Sequence, residues 1–434
     1  MAFIYRKTRA FELSLLFIIA LIFRLWLTAS IIGFNQPQLP ADDAKFEGIG
    51  WTLAQIGHYA IAPGEPATAR ASPVLPLLLA GIYKLVGHQR AVAQIVLLII
   101  SASTVPVVFL LGKEIGGKQV GLLAGLWVAF DPFAWIFAGI FYSETLFMFV
   151  LSLAVLILIR VIKQPRPLSL GLLGVVLGLG ALTRPNGLVV AFGSIALLPL
   201  VGQGRFIDWF RRAIAVLAIV LLVMFLWIGR NLLVFHRFIP TTSQTGEVLL
   251  GFYNETCLQY HCNEWISLSA LPENTKSRLS NLDEMTRNDV QTKLALSTIQ
   301  AHPWEWAALL PPKVLRFWMH DSILPNTFYR SNPPMSFITF QRVYYRLLLF
   351  LGLAGLFTLY LTGQRQTFII IMIFFGVFSF VALILWGDAR LRMPLHPLLA
   401  VAAAYPLRFA YNRIFQSSGI LWSKIGKSQV RTGK

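Results

Sequence analysis

The stretch FELSLLFIIALIFRLWLTASIIGFNQPQLPADDAKFEG, residues 11–48, sets two unlike sequences side by side. From Phe11 to about Ile32 the chain is almost wholly apolar, long enough to cross a hydrocarbon layer of roughly 30 Å as one helix. The run does not alternate, so it is not a strand of a closed barrel, the other structure lipid tolerates. It carries no obvious small-residue cleavage site and is long for a signal peptide, so a retained span is expected. Immediately beyond it stand two adjacent carboxylates, Asp42 and Asp43, in a chain where only 19 of 434 residues are acidic.

The rest of the sequence repeats the first half of that pattern. Hydrophobic residues make up 56%, charged residues 13%, and mean hydropathy is +0.66. A soluble core cannot use that much apolar surface; lipid can. Spans are expected near 11–33, 91–112, 119–139, 145–162, 168–182, 187–203, 213–233, 344–362, 367–386 and 393–411. The expected fold class is an all-α polytopic membrane protein with about ten or more transmembrane helices. The net charge of +18 does not point to nucleic acid, because much of it sits in short connections between spans, where cytoplasmic charge orients helices. Lys113 and Lys118, then Arg160, Lys163 and Arg166, then Arg205, Arg211 and Arg212 fill alternate connections, and a basic tail follows Arg413.

That threading divides the chain into an N-terminal transmembrane module, 1–233, a large outer loop, 234–343, C-terminal helices, 344–411, and a cytoplasmic tail, 412–434. A first outer loop, 34–90, lies inside the first module. Phe46, Ile49, Leu53 and Ile56 recur at helical spacing, a stripe suited to lying on the bilayer surface. SPVLPLLLAGIYKLVG reads as a second interfacial helix, and the later half of the large loop reads as helices broken at Pro303 and Pro311–Pro312. Gly174 and Gly178 fit close helix packing. The threading also gathers Asp42, Asp43, Glu144, Arg184, Asp388, Arg390 and Arg392 on one face, outside the cytoplasm.

Each of these has a plain reading beside a chemical one. Asp42 or Asp43 caps a surface helix, or the pair supplies a general base with a neighbour that tunes it. Glu144 is a hydrated interface carboxylate, or lines the same cavity. Arg184 snorkels, or binds an anion. Arg24 interrupts the first span, so it faces a partner or a polar cavity. Arg390 and Arg392, spaced by two in what reads as an extended segment, aim the same way and match phosphate oxygens, or one of them pairs with Asp388. Cys257 and Cys262 are a candidate disulfide, with His261 keeping metal binding open. Asn254-Glu255-Thr256 is a sequon. GKEIGGKQ, 112–119, imitates a phosphate loop but has Gln119 where Ser or Thr is needed, and the seven histidines show no metal spacing.

The ordered set DDAKFEGIGWTLAQIGHY, PATARASPVLPLLLAGIYKLVG, YSETLFMF, ALTRPNGL, WIGRNLLVFHRFIP, AHPWEWAALLPPKVLRFW and DARLRMPLHPLLAVAAAY resembles the GT-C membrane glycosyltransferases. Nearest are bacterial family 39 relatives, the group related to protein O-mannosyltransferases and lipid A aminoarabinose transferases. Many members have Tyr where Phe46 stands. The resemblance implies a GT-C-like helical bundle with a mostly helical large outer loop. It implies transfer of a sugar from a polyprenyl-phosphate donor to a protein, lipid or glycan acceptor, with inversion, at a bacterial inner membrane. Asp42 would then be the base, Asp43 and Glu144 its neighbours, and Arg184, Arg390 or Arg392, with Arg24 or Arg70, the holders of the lipid phosphate. A divalent cation on the three carboxylates stays open. The rival readings are a lipid-linked glycan ligase or polymerase and a transporter or flippase.

Overall fold

The computed structural model describes residues 2–35, 42–262, 265–320, 334–385 and 387–408. The basic tail expected at 412–434 and the end of the last expected span lie outside the described residues. Every regular element among them is helical. In chain order these are α1 (Ala2–Leu27, continued by a π-turn over Thr28–Ile32), α2 (Asp42–Ile56), α3 (Val74–Val86), α4 (Arg90–Gly116), α5 (Lys118–Ala129), α6 (Ile136–Gly139), α7 (Glu144–Lys163), α8 (Pro167–Thr183), α9 (Pro185–Val201) and α10 (Phe206–Phe235). The large loop holds α11 (Thr245–Leu250), α12 (Glu255–Gln259), α13 (Glu273–Leu279), α14 (Glu284–Ala301), α15 (Pro303–Ala308) and α16 (Leu310–Met319). Then follow α17 (Met335–Leu361), α18 (Arg365–Ile384), the single turn α19 (Ala389–Arg392) and α20 (396–408).

Six of these are long and apolar enough to cross a bilayer: 10–32, 90–116, 144–163, 206–235, 335–361 and 365–384. The spans expected at 168–182 and 187–203 appear as the shorter apolar helices α8 and α9. The span expected at 119–139 is broken. Asp131 and Pro132 end α5, because the residue before a proline is driven out of the helical region, and Asp131 turns inward to accept from Phe133 N–H at 2.8 Å. Gly174 and Gly178 do carry close packing: a Cβ at either would fall within 2.8 Å of the side chain of Ile219 or Val223 on α10. The break at Pro303 is present, while Pro311–Pro312 sit in the first turn of α16, where a missing N–H costs nothing.

Two ends of the bundle differ in chemistry. At one, Arg160 and Lys163 of α7 hold Glu114 of α4, and Lys118 holds Glu12. At the other, α2, α3 and the large loop gather over the helix ends. Of the stripe on α2, Phe46 and Ile49 are buried in protein and Gly50 packs on Leu79 of α3, whereas Ile56 at its far end is 58% exposed. The large loop builds a small core of its own around Leu250, Phe252, Tyr253, Leu279 and Trp306.

Candidate active site

Asp42 and Asp43 open α2, where acids complement the positive end of the helix dipole. Successive helical residues point about 100° apart, so the pair is split between two environments. Asp43 is fully buried. Arg90 donates to both its oxygens at 2.7 and 2.8 Å, and Phe141 N–H adds a third bond at 2.7 Å. Arg90 also holds Glu47, one turn along α2, which accepts from Tyr83 at 3.0 Å and meets His88 at 3.0 Å. This is a rivet joining α2, α3 and α4. Asp43 is thus tied to α4 and to the backbone at Phe141, a structural contact beside the helper role expected of it. Arg90 and Glu47 escaped the reading of the sequence, although Asp43 and Glu47 stand at the i,i+4 spacing of one helix face.

Asp42 keeps 28% of its side chain exposed and lies in a charged chain. Lys45 donates to Oδ1 at 2.7 Å and Arg390 to Oδ2 at 2.8 Å. Burial raises the Asp42 carboxyl, but Lys45 and Arg390 together outweigh it and hold the group below the usual carboxylate range. Arg390 also donates to Glu144 Oε1, which Arg184 approaches at 2.5 Å. For Arg390, burial opposes the charge, while Glu144 and Asp42 favour it more and push its pKa upward. Two carboxylates and three cations make this cluster, so one positive charge is in excess. Gln244 accepts from Lys45 at 3.0 Å, and the Tyr142 ring lies 4.3 Å from the Arg390 guanidinium.

Local sequence explains the inward placement of these side chains. Pro185 holds Arg184 extended (φ −150, ψ 148), which stops α8 and turns Arg184 across the gap before α9. Glu144 lies in the first turn of α7. Asp388 caps α19 by accepting from Arg390 N–H at 2.8 Å rather than pairing with a guanidinium. Behind α19, His396 meets Asp131 at 2.8 Å, both buried, and the imidazole stacks on Tyr345.

Three predicted phosphate ligands lie elsewhere. Because 389–392 is a helical turn and not extended, Arg390 and Arg392 diverge. Arg392 is buried over the Tyr345 ring at 3.7 Å and donates to the carbonyls of Phe317 and His320. Arg24 is buried inside the bundle, donating to Ser101 Oγ at 2.9 Å and Val128 O at 3.0 Å, so it closes the end of α5. Arg70 pairs with Glu247 at 2.6 Å on the wall of a separate cleft.

Cationic side chains of the protein itself surround the three carboxylates. Guanidinium or ammonium groups occupy both oxygens of Asp43, both of Asp42 and Oε1 of Glu144; only the buried Glu144 Oε2 is unpartnered. No group of three ligating side chains comes together among the described residues. Of the candidate disulfide pair, Cys257 is buried in the loop core, while Cys262 packs at its margin. Asn254 of the sequon is buried; its oxygen accepts from Cys257 N–H at 2.8 Å to cap α12 and its amide donates to Leu250 O at 2.8 Å.

Residues 70–228 match the family described as dolichyl-phosphate-mannose-protein mannosyltransferase. The structure is similar to the archaeal oligosaccharyltransferase AglB from Archaeoglobus fulgidus in complex with an inhibitory peptide and a dolichol-phosphate. The TM-score is 0.59 at 14% identity, covering 96% of this chain and 52% of that one. The A. fulgidus oligosaccharyltransferase tethered with an acceptor peptide gives 0.56 at 13% identity, covering 96% and 51%. ArnT from Cupriavidus metallidurans bound to undecaprenyl phosphate gives 0.41 at 13% identity, covering 94% and 78%. The chain thus spans about half the length of the archaeal enzyme. No curated protein matches it by sequence. The fold is that of the GT-C membrane glycosyltransferases.

Proposed function

We propose that this GT-C-fold membrane protein transfers a sugar from a polyprenyl-phosphate donor to an acceptor hydroxyl, with inversion, on the face of the membrane opposite its basic connections. The observation that carries the reading is the cationic surplus around one accessible carboxylate, Asp42–Arg390–Glu144–Arg184, at the ends of apolar helices. A lipid phosphate is anchored at that depth, so the bilayer itself supplies much of the orientation. The match to the mannosyltransferase family and the dolichol-phosphate of the archaeal relative support the donor class. A bacterial inner membrane is the setting that the resemblance favours.

In the proposed step the acceptor oxygen attacks the anomeric carbon, the bond from that carbon to the phosphate oxygen breaks, and the polyprenyl phosphate departs with the electron pair. The acceptor proton passes to Asp42. Arg390 and Arg184 face the charge developing on the phosphate. Held by Arg390 and Lys45, Asp42 is ionised but a weak base. A donor phosphate that draws Arg390 toward itself removes one of the charges depressing Asp42, and its basicity rises when the proton must be taken. Glu144 Oε2, buried and unpartnered, is left to accept from a hydroxyl of the donor sugar.

The test is release of polyprenyl phosphate. Purified protein in nanodiscs is given polyprenyl-phosphate hexoses and pentoses with candidate acceptors. Release that depends on Arg390 supports the reading. Absence of release from every donor, or equal release by Arg390→Gln, refutes it.

A further inference from the structure

Beside the charged chain lies a cleft of about 360 Å³, between the turn at 61–70 and the N-terminal part of α14. That volume falls in the range of small-ligand sites. Most charges in its wall are already spent. Glu284 accepts from Thr68 Oγ1 at 2.7 Å, Ala69 N–H at 2.8 Å and Ser243 Oγ at 2.5 Å. Asp283 caps α14 through the N–H groups of Met285 and Thr286, and Arg70 is paired with Glu247.

What remains is different in kind. Gln291 lines the cleft and is 3% exposed, yet its Nε2 has no partner. Arg287 spends one nitrogen on Leu282 O at 3.2 Å and leaves Nε unpartnered. An amide donor buried without a partner costs about 1–3 kcal/mol, which a ligand oxygen accepting from it would recover. Glu65 stands exposed at the rim and Phe235 contributes a ring to the wall. Unsatisfied donors, a rim carboxylate and an aromatic edge, with the other carboxylates already hydrogen-bonded or ion-paired, suit a neutral ligand rich in hydroxyls. A phosphate would require surplus cations, which the cleft does not have.

The cleft is wired to the reacting cluster. Ser243 and Glu247 line it, and Gln244 between them touches Lys45, which holds Asp42. We infer that this cleft is a saccharide subsite, binding a neutral sugar of the acceptor so that a hydroxyl on the adjoining residue reaches Asp42. This rests on the proposed function for its placement in the reaction, although binding stands by itself.

The experiment uses full-length protein in nanodiscs free of glycoside detergents, with lactose, maltose, cellobiose and a glucuronate-containing disaccharide as probes, read by saturation-transfer NMR. Binding of at least one neutral disaccharide is expected. It should weaken about three- to tenfold in Gln291→Leu, the loss of one neutral hydrogen bond. It should disappear in Ala67→Trp, which fills the cleft from the facing wall, and persist in Asp42→Asn. Binding that persists in a protein showing no donor turnover would overturn the proposed function and leave the subsite standing. The subsite is refuted if no neutral disaccharide binds the unmodified protein, if both cleft variants bind as well as it does, or if the acidic disaccharide or a peptide is preferred at these residues.

Discussion

Neutralising the two adjacent carboxylates one at a time should give opposite results. Asp42→Asn removes a carboxylate that is 28% exposed and paired to Lys45 and to Arg390, itself 23% exposed. Partly exposed pairs of this kind contribute about 1 kcal/mol or less to stability, so the variant should fold and melt near the unmodified protein. Its chemistry should suffer more: loss of a positioned base typically costs about 10²–10⁴ in rate. Asp43→Asn reverses both expectations. It breaks a fully buried pair, for which removing one partner costs about 3–5 kcal/mol. Arg90 retains Glu47, and the amide oxygen can still accept from Phe141 N–H, which puts the loss near the lower end, about 3 kcal/mol. Thermal melting followed by tryptophan fluorescence, and sugar transfer by whatever protein stays folded, separate the two. A near-normal rate in Asp42→Asn, or equal destabilisation by both substitutions, would show that the division of labour between these neighbours is wrong.

Arg390→Gln should weaken polyprenyl-phosphate binding by about ten- to a hundredfold, the value of a charge-assisted contact, measured by lipid competition; unchanged affinity would place the phosphate elsewhere. Acidity offers a second check. Asp42 has a folded pKa depressed below its unfolded value, so its contribution to stability is complete above about pH 4–5 and is lost only as pH falls further. The melting difference between the unmodified protein and Asp42→Asn should therefore be the same at pH 7 and pH 5.5, and its disappearance at pH 5.5 would contradict the depression. Gly178→Leu should cost about 1–3 kcal/mol or more by forcing α8 away from Val223 of α10; a melting temperature within error of the unmodified protein would mean the helices do not meet there.

The membrane class and most helix positions were legible because they depend on composition and period alone. The break at Pro303 was legible for the same reason, since proline constrains its own neighbours whatever surrounds them, while Pro311–Pro312 open a helix instead of breaking one. The gathering of Asp42, Glu144, Arg184 and Arg390 at one end was also accessible, since alternate crossing of a bilayer fixes which connections share a face. Reading 119–139 as a span failed where a buried polar pair, Asp131 with His396, intervened across 265 residues of sequence. Periodicity has no term for such a contact. Of the stripe on α2, Phe46 and Ile49 are buried and Ile56 is exposed; which part protein covers depends on neighbours that the local pattern does not contain.

By itself, then, the sequence determined that this chain lives in a bilayer and which acids and bases meet at one side of it. Tertiary structure alone decided the surroundings of each. Asp42 and Asp43 have the same chemistry and adjacent positions, yet a rotation of about 100° per residue sends one to Arg390 and the other into a sealed contact with Arg90. Arg390 and Arg392 part in the same way once 389–392 closes into a turn. Reactivity follows from dielectric and partner charge at an atom's position, and those are properties of the folded surroundings rather than of the residue.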